Sequence, residues 1–131
     1  MAQAGATARR ARVVGIVDDD AGVRDSLRFL LEVAGFRVLA YASGAAFLAD
    51  SSRGEVDCLL VDQHMPHCTG LELLDQLRRQ ELRIPAALIT GSSSADLRER
   101  AAEVDVAHVW EKPLAEAALL AFVGGEEVGP A

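Results

Sequence analysis

Arg12-Val13-Val14-Gly15-Ile16-Val17-Asp18-Asp19-Asp20 is the stretch on which the fold turns: a short apolar run that ends abruptly in three carboxylates. A run this short, closed by charge, reads as a strand buried on both faces, with the aspartates marking where the chain leaves the core. Beyond it, Val23, Leu27, Leu30 and Leu31 fall at helical spacing, and Gly35 stands where a helix C-terminus favours glycine. The same alternation then recurs. Phe36 to Tyr41 is expected as a second strand, and Ser43 starts a short helix carrying Phe47 and Leu48. A third strand covers Asp57 to Val61 and ends at Asp62, after which Thr69 and Glu72 make a capping box for a helix with Leu73, Leu74 and Leu77. Ile84 to Thr90 is a fourth strand, with proline tolerable only at its start. A Gly-Ser-Ser-Ser stretch leads into a helix with Leu97, Ala101 and Val104. Val106 to Trp110 is the fifth strand, and a last helix begins at Lys112-Pro113 and runs to about Val123.

Five strands alternating with five helices predict βαβ units: an α/β, doubly wound, parallel five-stranded sheet with helices on both faces. The second strand mixes Arg37 and Tyr41 with apolar residues and suits an edge. No internal repeat or low-complexity segment interrupts the pattern. One structured domain is expected over residues 12–123, flanked by tails at 1–11 and 124–131, which fits a chain of 131 residues.

Composition narrows the function. Twenty acids against thirteen bases give a formal charge of −7, which argues against a nucleic-acid surface and its clustered basic face. No apolar run approaches the ~20 residues of a membrane helix, and the arginine-bearing N-terminus lacks the apolar core of a signal peptide. Cys58 and Cys68 do not make a disulfide framework. A cytoplasmic protein is expected, with no direct DNA binding and no membrane association. Lys112 is the sole lysine among thirteen basic residues, so it is the first place to seek a role for a compact point charge that arginine cannot fill.

Ligands of doubly wound sheets bind beyond the carboxyl ends of the strands, where the strand order reverses. With the order 2-1-3-4-5, Asp18, Asp19 and Asp20 close the first strand, Asp62 the third and Thr90 the fourth, while Lys112 follows the fifth. Carboxylates so close repel unless a cation is present. Oxygen-only ligation favours Mg²⁺, and Mg²⁺, a hydroxyl and a lysine are the usual surroundings of a phosphoryl group. An aspartate among them can be the nucleophile that carries it. Neither G-x-x-x-x-G-K-[ST] nor G-x-G-x-x-G occurs, so nucleotide binding has no support.

Val17-Asp18-Asp19, Asp62-Gln63-His64-Met65-Pro66, Gly70, Leu88-Ile89-Thr90-Gly91 and Lys112-Pro113, each at its strand end, resemble the receiver domain of two-component response regulators. The resemblance implies a flavodoxin-like (βα)5 fold in which Asp62 accepts a phosphoryl group from a sensor histidine kinase or phosphotransferase. It implies Mg²⁺ held by Asp19, Asp62 and the backbone carbonyl of His64, with Asp18 acting largely through water. Thr90 would bind a phosphoryl oxygen and Lys112 would pair with the phosphoryl charge. An output protein of unknown identity is implied as partner, and a homodimer through the fourth helix, fifth strand and fifth helix is open. The Ser43–Leu48 stretch and the Thr90-Gly91 pair are similar to receivers that often precede LuxR-type helix-turn-helix outputs. The chain is expected either to stand alone or to be one part of a longer regulator. It would be no enzyme beyond self-directed phosphotransfer and autodephosphorylation.

Two positions depart from the family. Val109 stands where an aromatic switch residue is usual, and Asp105-Val106 replaces a Gly-Ala pair. The output coupling is therefore expected either through another bulky group, Trp110 or His108 being nearest, or through another face such as the first helix.

Other readings compete. Three aspartates in a row also suit a solvated helix cap. His64, His67, Cys58 and Cys68 suggest a metal cluster, but their spacing fits no common zinc pattern. Asp18 and Asp20 satisfy the D-x-D of a haloacid-dehalogenase-type phosphatase with Asp18 as nucleophile, although Gly22 stands where that pattern wants Thr or Val. A pseudo-receiver acting only as a scaffold would not need the full set of pocket residues.

Overall fold

The computed structural model describes residues 11–125. Strands β1 (Val13–Val17), β2 (Arg37–Tyr41), β3 (Cys58–Asp62), β4 (Ala86–Thr90) and β5 (His108–Glu111) form one parallel sheet in the order β2-β1-β3-β4-β5. Helices α1 (Ala21–Val33), α2 (Gly44–Ala49), α3 (Gly70–Arg79), α4 (Ala95–Glu103) and α5 (Glu116–Val123) alternate with them. The doubly wound α/β fold expected from the apolar runs is the fold observed. Residues 1–10 of the expected N-terminal tail, and 126–131 of the C-terminal one, lie outside the described residues.

Every residue of β1, β3 and β4 is buried, as central strands covered by helices on both faces require. Alternation along those strands divides the core in two. Val13, Val17, Leu59, Val61, Ala86 and Leu88 face a layer closed by α2, α3 and α4. Val14, Ile16, Cys58, Leu60, Ala87 and Ile89 face the layer closed by α1 and α5. Cys58 is thus a small apolar core residue, its thiol pushed up to about 11 by burial.

Local signals set the helix ends. Thr69 and Glu72 form the anticipated capping box, Glu72 N–H donating to Thr69 Oγ1 at 3.1 Å and Thr69 N–H to Glu72 Oε1 at 2.8 Å. Helix α1 closes in a Schellman motif. There Phe36 N–H reaches Leu31 O, Gly35 N–H reaches Glu32 O, and Gly35 sits at φ 101°. The same motif closes α4 with Asp105 at φ 60°, Val106 N–H bonding Ala101 O and Asp105 N–H bonding Ala102 O. This explains the departure from the family's glycine: Asp is among the few side chains that tolerate the left-handed region. Arg78 then pins the turn, donating to the carbonyls of Leu82, Val104 and Asp105.

Two expectations are corrected, and one further element is found. Pro113 does not open the last helix, which starts at Glu116 after an Ala115 cap. Lys112 N–H still donates to Thr90 O at 2.9 Å, so the chain stays paired to β4 through residue 112 and must turn before it can coil. The fifth strand starts at His108, two residues late, because the Asp105 turn occupies the preceding residues. A 3₁₀ turn at Ser51–Glu55, unanticipated, is capped by Asp50, which accepts from Ser52 N–H and the Tyr41 hydroxyl.

Candidate functional site

The strand ends bring the predicted residues to one rim. In the sheet register Val17 lies beside Val61, and Asp62 lies beside Ile89, so the residues that follow β1 and close β3 and β4 emerge together. One carboxylate oxygen from each of Asp18, Asp19 and Asp62 lies within 4.8 Å of the others. Asp18 and Asp62 are buried and Asp19 is exposed. Lys112 Nζ stands 3.2 Å from Asp62 Oδ1, and Thr90, wholly buried, closes the neighbouring strand.

The three aspartates have separated roles. Asp20 is a helix cap, accepting from Val23 N–H. Asp18 turns inward, accepts the Asp20 N–H at 2.9 Å and lies 3% exposed. Burial raises its pKa above the usual carboxylate value; the Asp20 amide opposes that rise and the neighbouring Asp62 adds to it. Asp19 faces solvent at the mouth of the cluster. The cap reading of this triplet is right for Asp20 alone, and a carboxylate engaged as a cap is poorly placed to serve as the acid–base partner a D-x-D phosphatase needs.

Asp62 is the least satisfied group of the rim. Its Oδ1 is buried without a properly oriented hydrogen bond, and the Lys112 contact is ionic rather than directional. A buried carboxylate oxygen left in that state is costly unless something binds it. Asp18, Asp19 and Asp62 present a hard, oxygen-only donor set, which fits a Mg²⁺-type cation and not a thiophilic one. Cys58 and Cys68 belong to opposite core layers, so they cannot join His64 and His67 in a cluster.

The floor of the site is built by close backbone approach. A Cβ on Gly70 would sit 2.5 Å from the Asp62 carbonyl oxygen and 2.7 Å from Leu88 Cδ1, so only glycine lets α3 start against the end of β3. Gln63, which the sequence did not single out, ties this corner. Its N–H donates to Ile89 O, its carbonyl accepts Gly70 N–H, and its side-chain Oε1 accepts Leu71 N–H. His64 then lies beside Thr90, with Nε2 3.1 Å from Thr90 Oγ1. On the other side, an open cleft of about 590 Å³ lies between α1 and the segment after β5, with Val23, Ser26, Ile89 and Pro113 in its walls together with Asp18 and Lys112.

The fifth strand differs from the expectation. Val109 faces the α4 layer, whereas Trp110 packs in the α5 layer. Trp110 stacks on His108 with ring centroids 5.4 Å apart, and both rings meet Phe122 edge-on. Neither ring can therefore fill the space on the α4 side of β5 that an aromatic at 109 would occupy.

A doubly wound sheet with a carboxylate cluster, a hydroxyl and an ammonium at its carboxyl rim defines a phosphoryl-handling module. The chain belongs to the response regulator receiver domain family, whose model matches residues 14–124. It is 37% identical over 110 residues to the transcriptional regulatory protein FixJ of Azorhizobium caulinodans, covering 84% of this chain and 52% of that protein. It is 32% identical to the response regulator protein TodT of Pseudomonas putida, covering 87% and 50%. The chain thus spans about half the length of the curated relatives it matches. Among solved structures it resembles FixJ-N, with a TM-score of 0.76 and 31% identity over 93% of this chain and all of that one. It also resembles the Vibrio cholerae chemotaxis protein CheY4, with a TM-score of 0.80 and 26% identity over 90% and 100% of the two chains.

Proposed function

We propose that residues 12–123 form a phosphoacceptor module in which Asp62 takes a phosphoryl group from the phosphohistidine of a sensor histidine kinase or phosphotransferase. The observation that carries this is Asp62 Oδ1: buried, without a directional hydrogen bond, and facing one ammonium and two carboxylates. It attacks phosphorus as the P–N bond to the donor imidazole breaks, and the imidazole leaves as a neutral base on taking a proton. The open cleft beside α1, largely apolar in its walls, gives the donor ring an approach. Lys112 then pairs with the added charge, and Thr90 donates to a phosphoryl oxygen once its hydroxyl is redirected.

Mg²⁺ is the cation this donor set suits; Asp19, Asp62 and the His64 carbonyl would hold it, with Asp18 acting through water. It would neutralise the carboxylates and the developing phosphoryl charge. The chain would act on no substrate but its own phosphoaspartate, in the cytoplasm, and signal to an output protein. A LuxR-type output is what the sequence resemblance implies, and relatives named as transcriptional regulators, of which the match covers about half, support a transcriptional one. A homodimer through α4, β5 and α5 remains part of the proposal. With Mg²⁺ and a small phosphodonor, wild type should gain one acid-stable, base-labile acyl phosphate and Asp62→Asn none. Equal labelling of Asp62→Asn would overturn the assignment.

A further inference from the structure

The side chain of His64 has no part in the chemistry so far, yet it makes a defined contact with the group that must meet the phosphoryl oxygen. Its position follows from the strand pairing. Asp62 pairs with Ile89 and Gln63 N–H extends the β3–β4 ladder by bonding Ile89 O, so His64 leaves β3 just past the end of β4, and its Nε2 lies 3.1 Å from Thr90 Oγ1.

The hydroxyl is fully engaged. Thr90 Oγ1 donates its one proton to Ser92 O at 3.0 Å and accepts Ser92 N–H at 3.2 Å. A threonine oxygen has one donor and two acceptor sites; with its proton on Ser92 O the third partner donates, which assigns the Nε2–H tautomer to His64. In this arrangement Thr90 has no proton left for a phosphoryl oxygen. Phosphoryl contact by Thr90 and the present network exclude one another.

We propose that His64 is a positioning residue that holds Thr90 turned toward Ser92, and that its release is part of activation. The inference rests on the receiver reading above and adds to it a conformational toll: ligand affinity falls by the fraction of molecules in which Thr90 is free. One hydrogen bond of ordinary net strength corresponds to about a three- to tenfold change in that fraction. Exposure of His64 makes its replacement tolerable to the fold.

The test compares wild type, His64→Ala and His64→Gln, whose amide N–H can reach where Nε2–H stood. Beryllofluoride with Mg²⁺ is the probe, and its Kd is read by titration beside the ¹³C shift of the Thr90 methyl in the ligand-free proteins. His64→Ala should bind about three- to tenfold more tightly, with the Thr90 methyl displaced toward its position in beryllofluoride-bound wild type. His64→Gln should restore both values. In wild type alone, imidazole ¹⁵N spectra should show the Nε2–H tautomer at His64 without ligand. An Nδ1–H tautomer, unchanged or weaker binding by His64→Ala, or a change in Kd without movement of Thr90 would each overturn the proposal. Wild type that neither binds beryllofluoride nor labels at Asp62 would instead overturn the receiver reading itself.

Discussion

Strands β3 and β5 end on the same rim, and each places one charged group beside the other: Asp62 and Lys112, 3.2 Å apart. Their surroundings are opposite. Every residue of β3 is buried, whereas no residue of β5 is. The Asp62 side chain is 5% exposed and that of Lys112 42%. The proposed nucleophile is held by a strand that cannot move without disturbing both core layers. Its counter-charge hangs from an edge strand with one sheet neighbour. Rigid placement belongs on the central strands, where preorganisation favours reaction, and response belongs at the edge, where displacement costs less packing.

Core truncation should expose that asymmetry most. Leu88→Ala, on β4 beside β3, should cost about 2–5 kcal/mol in chemical denaturation. Val109→Ala on β5 removes less, from a half-buried site, and should cost about 1 kcal/mol while leaving labelling of Asp62 intact. Equal losses at the two positions would break the comparison.

The carboxylates give the next test. Millimolar Mg²⁺ should raise the melting temperature of wild type by mass action, and Asp19→Asn should lose most of that shift. A melting temperature indifferent to Mg²⁺ would count against the site.

Asp18 sharpens the picture through pH. Its folded pKa is raised, chiefly by burial, so the folded state holds its proton more tightly than the unfolded chain does. The associated stability is fully present below the unfolded value near 3.8 and is lost as pH climbs through the folded one. In metal chelator, Asp18→Asn should therefore be more stable than wild type at neutral pH, and the gain should shrink on acidification. A constant difference across pH would show that desolvation of Asp18 is not its cause.

Asp105 offers the smallest effect. Gly at φ 60° relieves a left-handed residue, so Asp105→Gly should gain about 0.5–1 kcal/mol in chemical denaturation. Loss of stability there would mean that the Asp105 side chain does more than tolerate the turn.

Much of this was legible in the residues. The apolar runs ending in Asp18, Asp62 and Thr90 identify the central strands because two-sided burial demands them, and the Thr69–Glu72 box and Gly35 mark helix ends by local chemistry. What was not legible depends on register or on packing across the sheet. Pro113 resembles a helix start, yet the ladder to β4 runs on through Lys112. Trp110 is adjacent to Val109 in sequence and opposite to it in space, because strand residues alternate. Gln63 acts through a corner that exists only once Gly70 abuts β3. His64 carries the signal that was available, a side chain two residues past a strand-end aspartate, but its partner lies 26 residues away on another strand.

The central claim is that the buried, rigidly held Asp62 is the phosphoacceptor, and peptide mapping tests it most directly. Protein labelled with a small phosphodonor and Mg²⁺ is digested at low pH and sequenced by tandem mass spectrometry. The account predicts one phosphoryl group, on Asp62. Phosphate on Asp18, or a label independent of Mg²⁺ and spread over several carboxylates, would contradict it.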